Sequence, residues 1–295
     1  MRRVPFAAFV SAVLFVLAVR PVVADDDLLR IRIGPFDEID WQTRTVRSYG
    51  EAAPGGQGRE AGIRQARARA SDSMLALMRK VRVDDSVTLG SRMESDPDVA
   101  AQVGSAVDSQ VVSRFSNRSD GSITVRLELD LLETVAGLVA PRFGGGRPLV
   151  SLACPTCGQH WPAGHPLPNG LELTTATQGA EAATGLIVRA DNLRFEPALF
   201  PRLVNADGAE IYGPAFADAE HVHRAGLVSY VTVGDPAIER RVGARPLVIH
   251  PLGVRAGCDF VLSAEDVRRI HGNSLTLDAL RAARVVIVTS ADHVQ

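Results

Sequence analysis

Residues 61–84 read AGIRQARARASDSMLALMRKVRVD and carry the clearest helical pattern in the chain. Apolar side chains recur there at steps of three and four residues, at Ile63, Ala66, Ala70, Met74, Leu77 and Val81. This spacing places them on one face of an α-helix. The arginines of the stretch fall beside or opposite that face, and we interpret them as a solvated surface rather than an anion- or membrane-binding one. The sequence thus predicts a long amphipathic helix that covers a small sheet.

The neighbouring segments supply the strands of that sheet. Within residues 122–131, SITVRLELDL, apolar and polar side chains alternate, which predicts a strand with one buried and one solvated face. Residues 111–115 are predicted to pair with it across a turn-rich connector, and residues 41–49 to form a further strand. A second, shorter helix is predicted over residues 98–108. Together these elements predict an N-terminal α+β domain over residues 25–138.

The second half of the chain, residues 184–295, alternates short apolar runs with short helical ones. This pattern predicts a mixed α/β domain with a buried last strand over residues 285–289 and a helix over residues 264–271 that Ser263 caps. Residues 205–208 have the composition of a hairpin turn. The predicted fold class is therefore α+β: a small sheet covered by a long amphipathic helix, then a cysteine-containing connector and a second mixed α/β domain.

The connector, residues 139–183, holds the densest group of candidate site residues. Cys154 and Cys157 are separated by two residues, and His160 and His165 follow. In an oxidising compartment the two cysteines would form a disulfide, whereas all four side chains together could hold a tetrahedral zinc ion, the one cofactor that the sequence suggests. Redox catalysis is the third interpretation, although the glycines and prolines after Cys157 disfavour the helix that usually lowers the pKa of such a thiol. The three interpretations stay open.

The other motifs give no catalytic or metal site. His221 and His223 are two residues apart on a predicted helix, where they point to different faces. Cys258 lies in an apolar run and is predicted to be a buried thiol. The chain contains neither a Gly-x-Ser-x-Gly elbow nor a His-Glu-x-x-His pair. With no nucleophile or general base to name, the sequence predicts a protein that is not an enzyme.

The first 24 residues have the pattern of a secretory signal peptide. Arg2 and Arg3 precede an apolar run over residues 6–19, and small residues then predict cleavage after Ala24. We therefore expect the mature protein in the periplasm or at the outer membrane, able to contact a membrane but without a transmembrane helix of its own. Acidic residues outnumber basic ones after the leader, which disfavours nucleic acid as a partner.

Three segments carry a resemblance to known families: the strand that ends at Gly50, the helix over residues 61–84 and the strand over residues 122–131. Residues 39–132 resemble the N-terminal domain of flagellar assembly protein T and a family of small outer-membrane lipoproteins, although the lipid-accepting cysteine of the latter is missing. Residues 184–213 resemble a segment of uncharacterised exported proteins of Gram-negative bacteria.

The resemblance implies a non-catalytic envelope protein that acts by protein contact and is associated with motility or with the outer membrane. Its partner would be another envelope protein, peptidoglycan or an outer-membrane component. The alternative is a periplasmic metal-binding or thiol-redox protein centred on Cys154 and Cys157.

Overall fold

The computed structural model describes residues 28–53, 58–117, 120–143 and 182–290. The described residues form an α+β fold, as predicted, with separate sheets in an N-terminal half (residues 28–143) and a C-terminal half (residues 182–290). The strands of the N-terminal half are β1 (Arg30–Ile33), β2 (Asp37–Asp40), β3 (Thr45–Ala52), β4 (Arg114–Asn117) and β5 (Ile123–Asp130). Its helices are α1 (Arg59–Met78), α2 (Leu89–Ser95), α3 (Pro97–Asp108) and, after a π-helical turn (Leu132–Ala136), α4 (Gly137–Val139).

The C-terminal half continues with shorter elements. Its strands are β6 (Leu186–Arg189), β7 (Leu203–Val204), β8 (Glu210–Tyr212), β9 (Ser229–Thr232), β10 (Leu247–Ile249), β11 (Gly253–Arg255), β12 (Asp259–Val261) and β13 (Val285–Thr289). Its helices are α5 (Ala219–Ala225), α6 (Ala237–Val242), α7 (Ala264–His271) and α8 (Ser274–Arg281). In the ranges that the structure describes, no helix is both long and apolar enough to cross a bilayer.

Helix α1 covers one face of the N-terminal sheet, in which the strand order is β1-β2-β3-β5-β4 and every neighbouring pair is antiparallel. Alternation along β5 buries its apolar side chains and leaves the polar ones half-buried on the opposite side. Gly50 of β3 lies in backbone contact with the helix, because an added Cβ would be 1.9 Å from the carbonyl oxygen of Ala66. The predicted amphipathic helix over a small sheet is confirmed, but α1 ends at Met78, so Val81 is buried beyond the helix and not on its apolar face.

The strand predicted over residues 41–49 is partly wrong. β3 begins only at Thr45, because the residues before it form the turn of the β2–β3 hairpin. The Asp40 carboxylate accepts a hydrogen bond from the backbone N–H of Gln42 at 3.0 Å, and Arg44 has a positive φ of 59°. An Asx turn of this kind reverses the chain without glycine or proline, so the β-favouring composition of the segment concealed it.

The C-terminal half contains two four-stranded sheets. One is parallel, with the order β10-β6-β13-β9, and its inner strand β13 is buried along its whole length, as predicted. The other is mixed, with the order β11-β12-β7-β8, and the predicted turn over residues 205–208 joins β7 to β8. Ser263 caps α7, also as predicted. The sequence predicts the short helices α5 and α7 but not α2, α6 and α8.

The two halves share one hydrophobic core. Trp41, buried in the β2–β3 turn, meets Tyr230 of β9 edge-on, with the ring centroids 5.9 Å apart. The backbone N–H of Leu199 donates to the carbonyl oxygen of Arg82 at 3.0 Å, so main-chain hydrogen bonds also cross between the halves. We call these contacts the half–half interface. The predicted domain ends at residues 138 and 184 stay predictions, since residues 144–181 lie outside the described chain.

Candidate functional site

The main candidates from the sequence lie outside the described residues. These are the disulfide or zinc group of Cys154, Cys157, His160 and His165, and the cleavage site at Ala24. Both stay predictions, as does the choice between a disulfide, zinc and free thiols. Of the histidines on α5, His221 lies 3.5 Å from Asp218, and His223 packs edge-on against the ring of Phe143. Within the described ranges, no group of three His, Cys, Asp or Glu side chains is placed to hold a metal ion.

The face of the N-terminal sheet that points away from α1, here called the outer face, is covered by paired charges. Arg47 of β3 lies at its centre, 2.9 Å from Glu38, 3.7 Å from Asp40 and 3.5 Å from Glu128. A hydrogen bond from Arg126, helped by the charge of Arg47, holds the pKa of Glu128 below its usual value despite burial. Apart from the buried Asp40, these side chains are partly exposed, so water and salt screen their pairs and each pair contributes little to stability. The acidic and basic side chains of the outer face therefore largely neutralise one another.

A cleft of about 320 Å³ interrupts this charged surface where β2 and β3 separate. Pairing of β2 with β3 stops at Glu38 opposite Arg47, whereas β3 continues beside β5 as far as Ala52. At the point of separation the Asp37 carboxylate accepts a hydrogen bond from the backbone N–H of Tyr49 at 2.7 Å, so a side chain replaces the missing strand partner. The cleft is thus a consequence of strand length and register.

Two aromatic rings form one wall of the cleft. Phe36 lies in the turn between β1 and β2 and is 58% exposed, and Tyr49 projects from the outer face of β3. Their ring centroids are 5.6 Å apart, with the ring planes tilted by 51°. We call the whole lining the aromatic cleft: Pro35, Phe36, Asp37, Tyr49, Gly50, Glu51 and Thr124. An exposed aromatic side chain next to carboxylates is the most distinctive surface feature in the part of the chain that the structure describes.

A second cavity, of about 340 Å³, lies at the amino ends of the parallel strands. Its polar lining comes from Thr184, Arg245, Asp278 and Arg284, and it contains no aromatic side chain. Ligands of open α/β sheets bind at the opposite, carboxyl ends of the strands. The aromatic cleft therefore has the stronger combination of shape and chemistry.

A group of charges at the half–half interface has a structural role. Asp259 is 1% exposed and accepts hydrogen bonds from the backbone N–H and the Nε of Arg202, each at 2.9 Å. The same guanidinium contacts Asp85 of the N-terminal half. Burial, followed by the charge of Asp259, raises the pKa of the neighbouring Cys258 thiol to about 12. Cys258 is therefore a buried core thiol, as predicted, and unsuited to act as a nucleophile.

Two arginines hold the C-terminal end of α5 at the same interface. Arg44 and Arg241 each donate from Nη1 to the carbonyl oxygen of Ala225 at 2.6 Å. Burial, together with the charge of Arg44, lowers the pKa of Arg241 to about 10. The last carbonyls of a helix carry partial negative charge and favour cations. Both arginines therefore join the two halves at the end of α5, although the buried Nε of each has no hydrogen-bond partner in the described chain.

A known protein family matches part of the chain. Residues 185–291 match the family model described as the second domain of Treponema pallidum Tp0624. The match is confined to the C-terminal part of the molecule and spans less than half of the residues of the chain. No curated protein matches the sequence. The resemblance to flagellar assembly protein T concerns residues 39–132, which lie outside the matched range, and it stays a prediction.

The sequence did not indicate the aromatic cleft. Tyr49 reads as the end of a predicted strand, and Glu51 as the start of a loop. Phe36 stands alone after a Gly34-Pro35 turn, where a large aromatic side chain has no core to enter. That isolated aromatic residue is the one local signal, because the rest of the cleft depends on the register of three strands.

Proposed function

We propose that this protein is an exported, non-catalytic component of a Gram-negative cell envelope that acts by protein contact through its outer face. The observation that carries the proposal is the aromatic cleft, in which Phe36 and Tyr49 lie among paired charges. Exposed aromatic side chains within a polar rim are characteristic of protein contact surfaces. The leader that ends at Ala24 and the resemblance of residues 39–132 to envelope proteins support the cellular location and an association with motility or the outer membrane.

The sheet behind the cleft gives this surface a fixed shape. Ser48 donates a hydrogen bond to the carbonyl oxygen of Ala70 at 2.8 Å, and Gly50 touches the backbone of α1 directly. Tyr49 and Glu51 alternate with these buried positions and so point outward. A preformed surface of this kind loses little conformational entropy when a partner binds.

Photocrosslinking in the native host tests the contact surface. Lys80 is the sole lysine of the chain, so amine-directed reagents would sample little of the molecule. We therefore choose a photoreactive phenylalanine analogue at position 36, with the same analogue at the exposed Leu275 of the C-terminal half as the matched control. Capture of an envelope protein from position 36 and not from position 275 would support the proposal. Equal capture at both positions, or none at position 36, would refute the outer face as the contact surface.

Cell fractionation with N-terminal sequencing tests the location. We expect recovery from the periplasm or the outer membrane with Asp25 as the first residue. Recovery from the cytoplasm with the leader intact would refute the export part of the proposal.

A further inference from the structure

We propose that the aromatic cleft receives the side chain of an arginine or lysine from a partner protein. The inference rests on the proposed function and names the chemical group that the contact surface recognises. Three observations carry it: the arrangement of the two rings, the acceptor character of the polar lining and a hydroxyl group without a partner.

Both aromatic rings line the cleft. Phe36 and Tyr49 are tilted by 51° rather than stacked, with 5.6 Å between centroids. A tilted pair offers two π faces to a compact cation, and cations are attracted to such faces within about 6 Å of the ring centroid.

The polar side chains of the cleft are suited to a donor. Asp37 and Glu51 line it, and ionised carboxylates only accept hydrogen bonds. Thr124 lies opposite Glu51 in the β3–β5 ladder, and its buried Oγ1 has no hydrogen-bond partner in the described chain. Guanidinium and ammonium groups donate several hydrogen bonds and accept none. Charge and hydrogen-bond character therefore select a cation and disfavour a carboxylate or phosphate ligand.

Two arginines of the chain approach the borders of the cleft without lining it. Arg126 is near the hydroxyl of Tyr49, where it is paired with Glu128 on the outer face. Arg69 reaches from α1 and donates to the backbone carbonyl of Glu51 at 2.5 Å. Arg126 is held by Glu128 and Arg69 by the main chain of β3, and neither arginine is part of the cleft lining.

A peptide titration of isotope-labelled full-length protein, followed by NMR, tests the inference. The probes are a capped pentapeptide with one central arginine between glycine and serine residues, and the same peptide with citrulline, which keeps the shape of arginine but has no charge. We expect the arginine peptide to shift the amide signals of Phe36, Tyr49 and Thr124. We expect the citrulline peptide to bind roughly 2- to 30-fold more weakly, which is the range that a cation–π contact supplies.

Variants assign the effect to the cleft. Phe36→Ala should weaken binding of the arginine peptide roughly 2- to 30-fold. Glu51→Gln, which removes an exposed charge, should weaken it about 2- to 5-fold. Leu252→Ala removes an exposed apolar side chain from the C-terminal half and should leave binding unchanged. Unchanged urea midpoints of the variants would show that the fold is retained, because both cleft side chains are exposed.

The outcomes separate this inference from the proposed function. Equal binding of the arginine and citrulline peptides, or shifts away from the cleft, would overturn the assignment of a basic side chain. Capture of a partner protein at position 36 together with no binding of the arginine peptide would overturn the ligand class and leave the contact function standing. Absence of both capture and binding would overturn both.

Discussion

Gly50→Ala is expected to destabilise the N-terminal half, because α1 lies directly on β3 at this position. The added Cβ would lie 1.9 Å from the Ala66 carbonyl oxygen and 2.5 Å from the Ala70 backbone nitrogen. Backbone atoms cannot rotate away as a side chain does, so the helix would have to withdraw by roughly 1.5 Å to restore van der Waals distances. Such overpacking costs typically about 1–3 kcal/mol. Withdrawal would also stretch the hydrogen bond from Ser48 to the Ala70 carbonyl, worth about 1 kcal/mol.

The expected loss in the free energy of unfolding is therefore roughly 2–4 kcal/mol, measured from urea denaturation curves. Gly104→Ala is the matched control, because a Cβ at Gly104 of α3 meets no atom within 4 Å. That variant should be neutral or more stable by up to about 1 kcal/mol, since alanine reduces the freedom of the unfolded chain. A Gly50→Ala protein that unfolds at the same urea concentration as the unmodified protein would refute the direct backbone contact between α1 and β3.

Three further predictions concern buried polar groups. Arg202→Met should lower the free energy of unfolding, measured in urea, by roughly 2–4 kcal/mol, because it leaves the buried Asp259 carboxylate without its guanidinium partner. Arg224→Met, which removes a surface ion pair, is the control. Equal effects of the two substitutions would contradict the role of burial. Burial lowers the pKa of His271, so as the pH falls the unfolded chain takes up a proton near pH 6.5, before the folded protein does. The free energy of unfolding should therefore fall as the pH drops below about 6.5, and His271→Gln should lessen that fall. Parallel pH profiles of the two proteins would contradict a role of His271. In a Cys154→Ser, Cys157→Ser background, Cys258 should react with a thiol reagent on the order of 10³-fold more slowly in the folded protein than in urea, and rapid labelling of the folded protein would contradict its burial.

The elements that the sequence predicts well are those with a long internal period. Helix α1 and strand β5 each repeat one pattern over enough residues for the buried face to be identified without knowledge of the neighbours. Strand β13 is recognised instead by its unbroken apolar run. The β2–β3 turn has no such repeating pattern. It is formed by hydrogen bonds that the backbone N–H groups after Asp40 donate to the carboxylate of that residue.

The candidate site could not be predicted in the same way. The aromatic cleft joins Phe36, Tyr49 and Thr124 from three separate segments, and it exists because β2 stops pairing before β3 ends. Strand register is a non-local property, and a shift by one residue would turn Tyr49 into the core. The half–half interface has the same origin, since the partners of Trp41 lie far along the chain.

The half–half interface also constrains how this chain can diverge. Residues 185–291 match the second domain of another protein, so the C-terminal unit has a counterpart there. Here Tyr230 of that unit is covered by Trp41, and Phe200 packs against Phe143. A relative that has lost this N-terminal half would expose both rings to water and risk aggregation. We expect such sequences to carry polar residues at positions 200 and 230. The residue types at these two positions should therefore indicate whether a relative has kept its N-terminal half.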